Sequence, residues 1–488
     1  MIVTPLRPIL LLLALACLGL LMTSAVSAEP AERPPNVVFI LADDLGWAEL
    51  GCYGNRFNET PHLDRLARQG MRLTDAYAAA PVCSPYRASL LTGQYPARHG
   101  IFDYLRPDTN QPLSTKHVTI AEMFKRQGYR TGMIGKWHLT GYRYHGSKRE
   151  IRPADHGFDE ELVTEIKSVG NGANYFPYVW RKQPIPWLNV KKKRLPGREY
   201  LVDRMNLEAV EFIERNKDKP FFLYLSHFAT HTILNGKESL ATKYRKKHKP
   251  GASSRTRCWI CQEAGRQGDA LNHWAADHNP HLAAMLESID DGVGLITKKL
   301  DELGLAKNTI VIFTSDNGGE SRHVTSNTPL RGGKSELYEG GIRVPLVVRW
   351  PGVVPADKVS HAPTSNVDFY PTLLAGAGIV PDERQKLDGV SILPVLKDPK
   401  ARLDRRPLFW HYPLSKPHFL GGRSGGAIRD GNWKLIEWYD TGRTELYNLA
   451  RDVSEKRNLA AVQKKQAAAL RKKLQVWRKN LGVKTTGS

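Results

Sequence analysis

The sequence predicts an α/β protein: a large, mostly parallel sheet sandwiched by helices, followed by a smaller C-terminal part with an antiparallel sheet and one helix. Three observations predict it. Five short runs, "NVVFILADD" (36–44), "TGMIGKWH" (131–138), "FFLYLSH" (221–227), "TIVIFTSDN" (309–317) and "VPLVVRW" (344–350), are apolar throughout, as strands buried on both faces are. Helical patterns separate them, which favours crossover connections and parallel pairing. Beyond about residue 395 the runs shorten, in "SGGAIRDGNWKLIEWYD" (424–440) and "TELYNL" (444–449), and a basic helix from Val462 to Leu481 closes the chain. That change fits antiparallel strands under one covering helix.

Taken in order, the N-terminus comes first. Arg7, an apolar run from Ile9 to Met22 and then "SAVSAEP" read as a secretory signal over residues 1–28, cleaved after Ala28. The run is 14 residues, short of the roughly 18 that a membrane helix needs. Cys17 also offers a lipoprotein reading, but the apolar run continues past it. The mature protein is expected to be periplasmic or extracellular, with no integral membrane segment. Residues 29–395 are expected to form the main domain and 396–488 a C-terminal α+β subdomain.

One helix stands out. Leu282, Met285, Ile289, Val293, Ile296, Leu300 and Leu303 recur at three- and four-residue spacing, the stripe of a long amphipathic helix leading into the strand at 309. Asp290 and Asp291 on it read as a solvated face. The run "KKKR" (191–194) reads as a solvated loop. Lys and Arg number 71 against 49 Asp and Glu, a net charge of +22. Such a field attracts polyanions, and export makes nucleic acid the least fitting of them.

Polar groups gather where the strands end, the place at which such sheets bind ligands. Asp43 and Asp44 close the first strand, and Asp316 and Asn317 close another far along the chain. Together they suit a hard divalent cation, Ca²⁺ or Mg²⁺, better than zinc. Either pair alone reads equally as a helix cap or turn. In "PVCSPYRASLLTG" (81–93), Ser84-Pro85 marks a helix entry and Gly93 its end. Cys83 then sits where backbone N–H groups favour negative charge, and Arg87 in the first turn opposes the helix dipole unless an anion lies beside it.

These residues carry a resemblance. "CSPYRASLLTG" resembles the signature of the sulfatase family, in which a Cys in C-x-P-x-R is oxidised to formylglycine (3-oxoalanine), and "GMIGKWHL" (132–139) is similar to the family's second signature. "ILADDLGW" (40–47), "FFLYLSHFATHT" (221–232), "FTSDNGG" (313–319), "LRGGKSELYEGGIRVP" (330–345) and "LDGVSILPVL" (387–396) resemble sulfatase segments in the family's order. The resemblance spans nearly the whole mature chain and implies an alkaline-phosphatase-like fold, a sulfuric ester hydrolase, and a maturase such as a formylglycine-generating enzyme.

It also implies a mechanism. The aldehyde is hydrated, one hydroxyl attacks the sulfate sulfur, and the other later expels sulfate. Asp43, Asp44, Asp316 and Asn317 match ligands of a calcium ion that also contacts the modified Cys83. Asp316 is the implied acceptor of the nucleophile's proton. Arg87 and Lys136 match residues holding the diol; Lys334 and His231 match those reaching the sulfate and the leaving oxygen. His231 is implied as general acid and His138 as the base that frees sulfate. Without the surrounding motifs, either histidine reads as a structural residue.

Residues 251–277 depart from the family. Cys258, Cys261, His273 and His278 have zinc-finger-like spacing, leaving a disulfide, a structural zinc and free thiols open. Cys52 reads as a small packed residue. The substrate is expected to be a sulfated carbohydrate or an aryl sulfate, with His227, His411, His418 and Arg423 as candidate contacts. Two rivals remain: a phosphomonoester or phosphonate hydrolase of the same superfamily, and a noncatalytic binder of sulfated glycans.

Overall fold

The computed structural model describes Met1 and residues 33–485, apart from 107–110, 141–149, 165–173, 181–182, 185–189, 191, 233, 248–277, 321–323 and 405. The signal segment, with Cys17, and the segment holding Cys258, Cys261 and His273 lie outside the described residues.

Eight strands form the main sheet: β1 (Asn36–Ala42), β2 (Met71–Leu73), β3 (Arg130–Lys136), β4 (Glu160–Thr164), β5 (Phe221–Ser226), β6 (Thr309–Ser315), β7 (Leu346–Arg349) and β8 (Lys358–Ser360). Their order is β8-β2-β7-β6-β1-β5-β3-β4. From β6 through β4 all neighbours are parallel, whereas β7 runs antiparallel to both β6 and β2. All five apolar runs are strands of this sheet.

Alternation along β1 explains why its run is apolar throughout. Val37, Phe39 and Leu41 point into a core with Ile310, Ile312, Phe369, Tyr370 and Leu373. Val38, Ile40 and Ala42 point into the opposite core, with Met205 and Phe212 of α2 (Leu201–Arg215) and Ile289, Val293 and Ile296 of α3 (Pro280–Glu302). A strand covered on both faces has no side that tolerates polar residues.

Helix α3 matches the predicted stripe, but the solvated-face reading of its acidic pair fails for Asp290. Asp291 is exposed, while Asp290 is buried and accepts from the backbone N–H groups of His62 (3.0 Å) and Leu63 (2.7 Å). Those groups open the short helix Pro61–Arg68, whose own N-cap Thr60 makes no side-chain cap hydrogen bond. Asp290 satisfies two otherwise orphaned donors from a neighbouring helix.

The C-terminal sheet has strands β9 (Leu408–Tyr412), β10 (Gly425–Asp430), β11 (Trp433–Trp438) and β12 (Thr444–Asn448), antiparallel in that order. Trp410, Ala427 and Ile436 face Tyr77, Val82 and Ile342. On the other side Ile428, Leu435 and Leu446 are covered by Leu470 and Leu474 of α4 (Lys464–Leu481). Among the described residues no helix is long and apolar enough to cross a membrane.

Candidate active site

Register brings the chemistry together. Leu41 lies opposite both Ser226 and Thr314, Ala42 opposite Ser315, and Gly135 opposite Ser226. The carboxyl ends of β1, β6, β5 and β3 are therefore level, and the residues just beyond them converge. Asp44 takes a positive φ of 59°, and its N–H donates to Asp316 Oδ1 at 3.1 Å. Strand ends separated by more than 260 residues of chain are thus fixed on one another.

A helix, α1 (Cys83–Thr92), completes the centre; it starts at Cys83 and ends at Gly93, whose φ of 67° is the left-handed conformation that a glycine adopts freely. Arg87 is its fifth residue, at the start of the second turn rather than in the first as expected. Its conflict with the helix dipole is answered by protein carboxylates. Arg87 Nη2 lies 2.7 Å from Asp316 Oδ2 and 3.5 Å from Asp43 Oδ1, with all three side chains fully buried. Nη1 donates to the Lys136 carbonyl at 2.9 Å and to Ser226 Oγ.

Two lysines complete the cluster. Lys136 Nζ is 2.5 Å from Asp43 Oδ2, and Lys334 Nζ is 2.6 Å from Asp44 Oδ2. Burial works against both ammonium groups, but Asp43 beside Lys136 and Asp44 beside Lys334 more than restore their charge. Cys83 Sγ sits 3.5 Å from Asp43 Oδ1. Burial pushes its thiol pKa up, so at neutral pH the unmodified sulfur stays protonated and is a poor nucleophile.

The same cluster fits a divalent cation. Asp43, Asp44, Cys83 and Asp316 each offer one ligand atom within 4.8 Å of the others. Asn317 Oδ1 is buried and lacks a hydrogen-bond partner, although its Nδ2 donates to Asp44 Oδ1 at 2.8 Å. Burial, then the adjacent Asp43, pushes the Asp316 carboxyl up despite Arg87. Three carboxylates and an orphaned amide oxygen form a hard, oxygen-rich donor set.

Both predicted histidines reach this centre. His138 has a positive φ of 57°; its Nε2 is 3.0 Å from the Leu105 carbonyl, and its Nδ1 is buried without a partner. Burial, then Lys136 and Arg87, holds it well below the usual histidine range. His231 contacts the Thr232 carbonyl through Nδ1 and places Nε2 3.6 Å from Asp44 Oδ2. Burial, then Lys334, pushes it down to about 3.

The cleft above them is lined by Asp43, Cys83, Lys136, His138, His231 and Lys334, and His418 joins its wall. His227, His411 and Arg423 are not among its lining residues. His227 is buried at the end of β5, His411 Nδ1 meets Tyr439 Oη at 2.7 Å, and Arg423 pairs with Asp440 at 2.8 Å near the surface. Residues missed in the sequence, Tyr104, Phe228, Thr232, Glu320, Phe419 and Leu420, complete the lining. Glu320 follows directly on "FTSDNGG" and Phe419 directly on His418, so position was the only signal for either.

Comparison with known proteins places this geometry. Residues 35–379 match the Sulfatase family, and residues 333–481 match the C-terminal region of N-sulphoglucosamine sulphohydrolase. N-acetylgalactosamine-6-sulfatase of Mus musculus is 33% identical over 479 residues, covering 93% of this chain and 80% of that one. Steryl-sulfatase of Mus musculus is 34% identical over 516 residues, covering 88% and 75%. The crystal structure of Ps i-CgsB in complex with k-i-k-neocarrahexaose superposes with a TM-score of 0.76 at 30% identity, over 91% of this chain and 93% of that one. With its family match, its fold and relatives along most of its length in agreement, the chain belongs to the sulfatase family, enzymes that hydrolyse sulfuric esters.

Proposed function

We propose that the protein is an exported sulfatase that hydrolyses sulfate monoesters of sugars, with a formylglycine made from Cys83 by a maturase and a calcium ion held by Asp43, Asp44, Asp316 and Asn317. The observation that carries it is the buried cluster of three carboxylates and three cations around Cys83. A relative named N-acetylgalactosamine-6-sulfatase and a similar structure solved with a neocarrahexaose support a sugar substrate.

The formylglycine supplies, when formed, a hydrated aldehyde as nucleophile, and the calcium ion supplies, when bound, Lewis acidity at the sulfate. The chain's residues do the rest. Arg87 and Lys136 orient the oxygens at position 83, and Lys334 faces the sulfate, where its charge offsets charge that grows during transfer. The Leu105 carbonyl fixes the hydrogen of His138 on Nε2, leaving the Nδ1 lone pair free to take a proton. On His231 the Thr232 carbonyl fixes the hydrogen on Nδ1. Its Nε2 gains a proton when an anionic sulfate enters, and passes it to the leaving oxygen.

Peptide mass analysis tests the central claim: the peptide holding Cys83 should carry formylglycine, and Cys83→Ala should abolish turnover of sulfate esters. Full activity in Cys83→Ala ends the reading. Matched sulfate and phosphate esters decide against the phosphohydrolase, for which the phosphate ester would be the faster substrate. N-terminal sequencing of the secreted protein should begin after Ala28, and chelation should lower activity together with bound calcium.

A further inference from the structure

We propose that Glu320 and Phe419 form the subsite for the leaving alcohol: Glu320 accepts a hydrogen bond from an O–H or N–H of a sugar beside the scissile oxygen, and Phe419 covers an apolar face of its ring. This rests on the sulfatase reading and names the chemistry that the leaving group must present.

Glu320 is a misfit in a cleft for anions. Its side chain is buried and lines the cleft beside Lys334 and His231. Oε2 accepts from Thr232 Oγ1 at 3.2 Å, whereas Oε1 is buried with no hydrogen-bond partner. A carboxylate repels sulfate, so it has no use in holding the ester's anionic half. Leaving its second oxygen unsatisfied is costly unless the other half of the substrate brings a donor. Its position is fixed from two sides. Thr232 follows His231, the residue matched to the leaving oxygen, and the Gly319 carbonyl accepts from Lys334 N at 3.1 Å.

Phe419 is 70% exposed at the same cleft. It sits in a tight turn closed by His418 N to the Gly422 carbonyl and Gly421 N to the His418 carbonyl, both 2.8 Å. Gly422 N donates to Ser335 Oγ at 3.2 Å, and a Cβ at Gly422 would lie 2.0 Å from the Ser335 carbonyl oxygen. Only glycine lets the turn rest flush on the residue after Lys334. The Phe419 ring stacks on His418 at 4.5 Å, and Tyr104 meets His418 edge-on at 5.6 Å. A large aromatic face is therefore presented at the mouth of a polar cleft.

An acceptor and an aromatic face together match a sugar, which offers hydroxyl or amide donors around an apolar ring face. An unsubstituted aryl group satisfies Phe419 but leaves Glu320 unpaired.

The test is the ratio of kcat/KM for N-acetylgalactosamine 6-sulfate, N-acetylgalactosamine 4-sulfate and N-acetylglucosamine 6-sulfate to that for 4-nitrophenyl sulfate, measured on enzyme converted at Cys83. In Glu320→Gln the amide carbonyl keeps Thr232 and its NH₂ faces the cleft, so the charge-assisted acceptor for a sugar O–H or N–H is lost. The ratio for the preferred sugar should fall at least about tenfold. Phe419→Ala removes an exposed side chain and threatens no core; it should lower kcat/KM for the preferred sugar by about threefold or more. An unchanged ratio in Glu320→Gln together with an unchanged sugar kcat/KM in Phe419→Ala, each within about twofold, overturns the subsite. So does a wild-type enzyme that accepts the aryl sulfate and none of the sugars. Converted enzyme that hydrolyses no sulfate ester overturns the sulfatase reading, and the subsite with it.

Discussion

Arg87 and Asp316 form a charge pair with no contact with water: Nη2 lies 2.7 Å from Oδ2, and both side chains are fully buried. The pair ties the helix that presents Cys83 to the end of β6. Removing one partner strands the other's charge in the interior, which costs about 3–5 kcal/mol. Arg87→Met should therefore lower unfolding free energy by that order as well as abolish turnover, as urea denaturation and sulfate-ester assays would show. A variant that is inactive yet as stable as wild type would mean that Arg87 serves substrate alone.

Asp44 and Lys334 make a second buried pair, whose pH dependence is testable. Burial would raise the Asp44 carboxyl, but Lys334, then His231 and Lys136, overcome it and hold the group below its ordinary value. A carboxyl lowered on folding stabilises the protein above its unfolded pKa of about 3.9, and that stability is lost as pH falls through the folded value. Lys334 is raised well above its ordinary value, with burial opposed chiefly by Asp44. Its contribution is present below about pH 10.4 and lost as pH rises through the folded value. Lys334→Met removes the strongest pull on Asp44 and leaves burial unopposed by it. In chelator-treated protein, the variant strands an ionised Asp44 at pH 7 that takes up a proton on acidification, so it should gain stability relative to wild type as pH falls from 7 to 5. Parallel stability curves would remove Lys334 as the cause.

Asp290 and Asp291 separate structure from surface. Asp290→Ala strips the caps from His62 N and Leu63 N and should cost about 1–2 kcal/mol, while Asp291→Ala should stay within about 0.5 kcal/mol. Thermal denaturation of the two variants compares them directly. Equal effects would mean that the short helix Pro61–Arg68 finds its hydrogen bonds elsewhere.

That contrast also shows what a sequence can and cannot display. The apolar run of β1 announces a strand covered on both faces, because every second residue must meet a core. The acidic ends of β1 and β6 point to one another because a parallel sheet aligns carboxyl ends. Periodicity gives Asp290 a place on α3, but not the uncapped helix that docks there through tertiary packing. Glu320 and Phe419 escaped for the same reason. They line one cleft only because a turn beyond β9 rests on Ser335, and nothing local in "GGE" or "HFL" encodes that packing. Chemistry fixed by a motif was readable, whereas specificity assembled from distant loops was not.

Net charge supplies the last prediction. The cations of the centre, Arg87, Lys136 and Lys334, are buried and paired with carboxylates. The excess of +22 therefore resides elsewhere, including exposed Lys464, Lys465, Lys472 and Lys479 on α4. A small aryl sulfate meets only the enclosed charges. A sulfated oligosaccharide carries further anions to the surface, where salt screens attraction beyond about 8–10 Å. Raising salt from low to near-physiological concentration should thus increase KM for a sulfated oligosaccharide far more than for 4-nitrophenyl sulfate. Equal sensitivity of the two KM values would remove the surface charge from substrate capture and leave sugar recognition to the cleft alone.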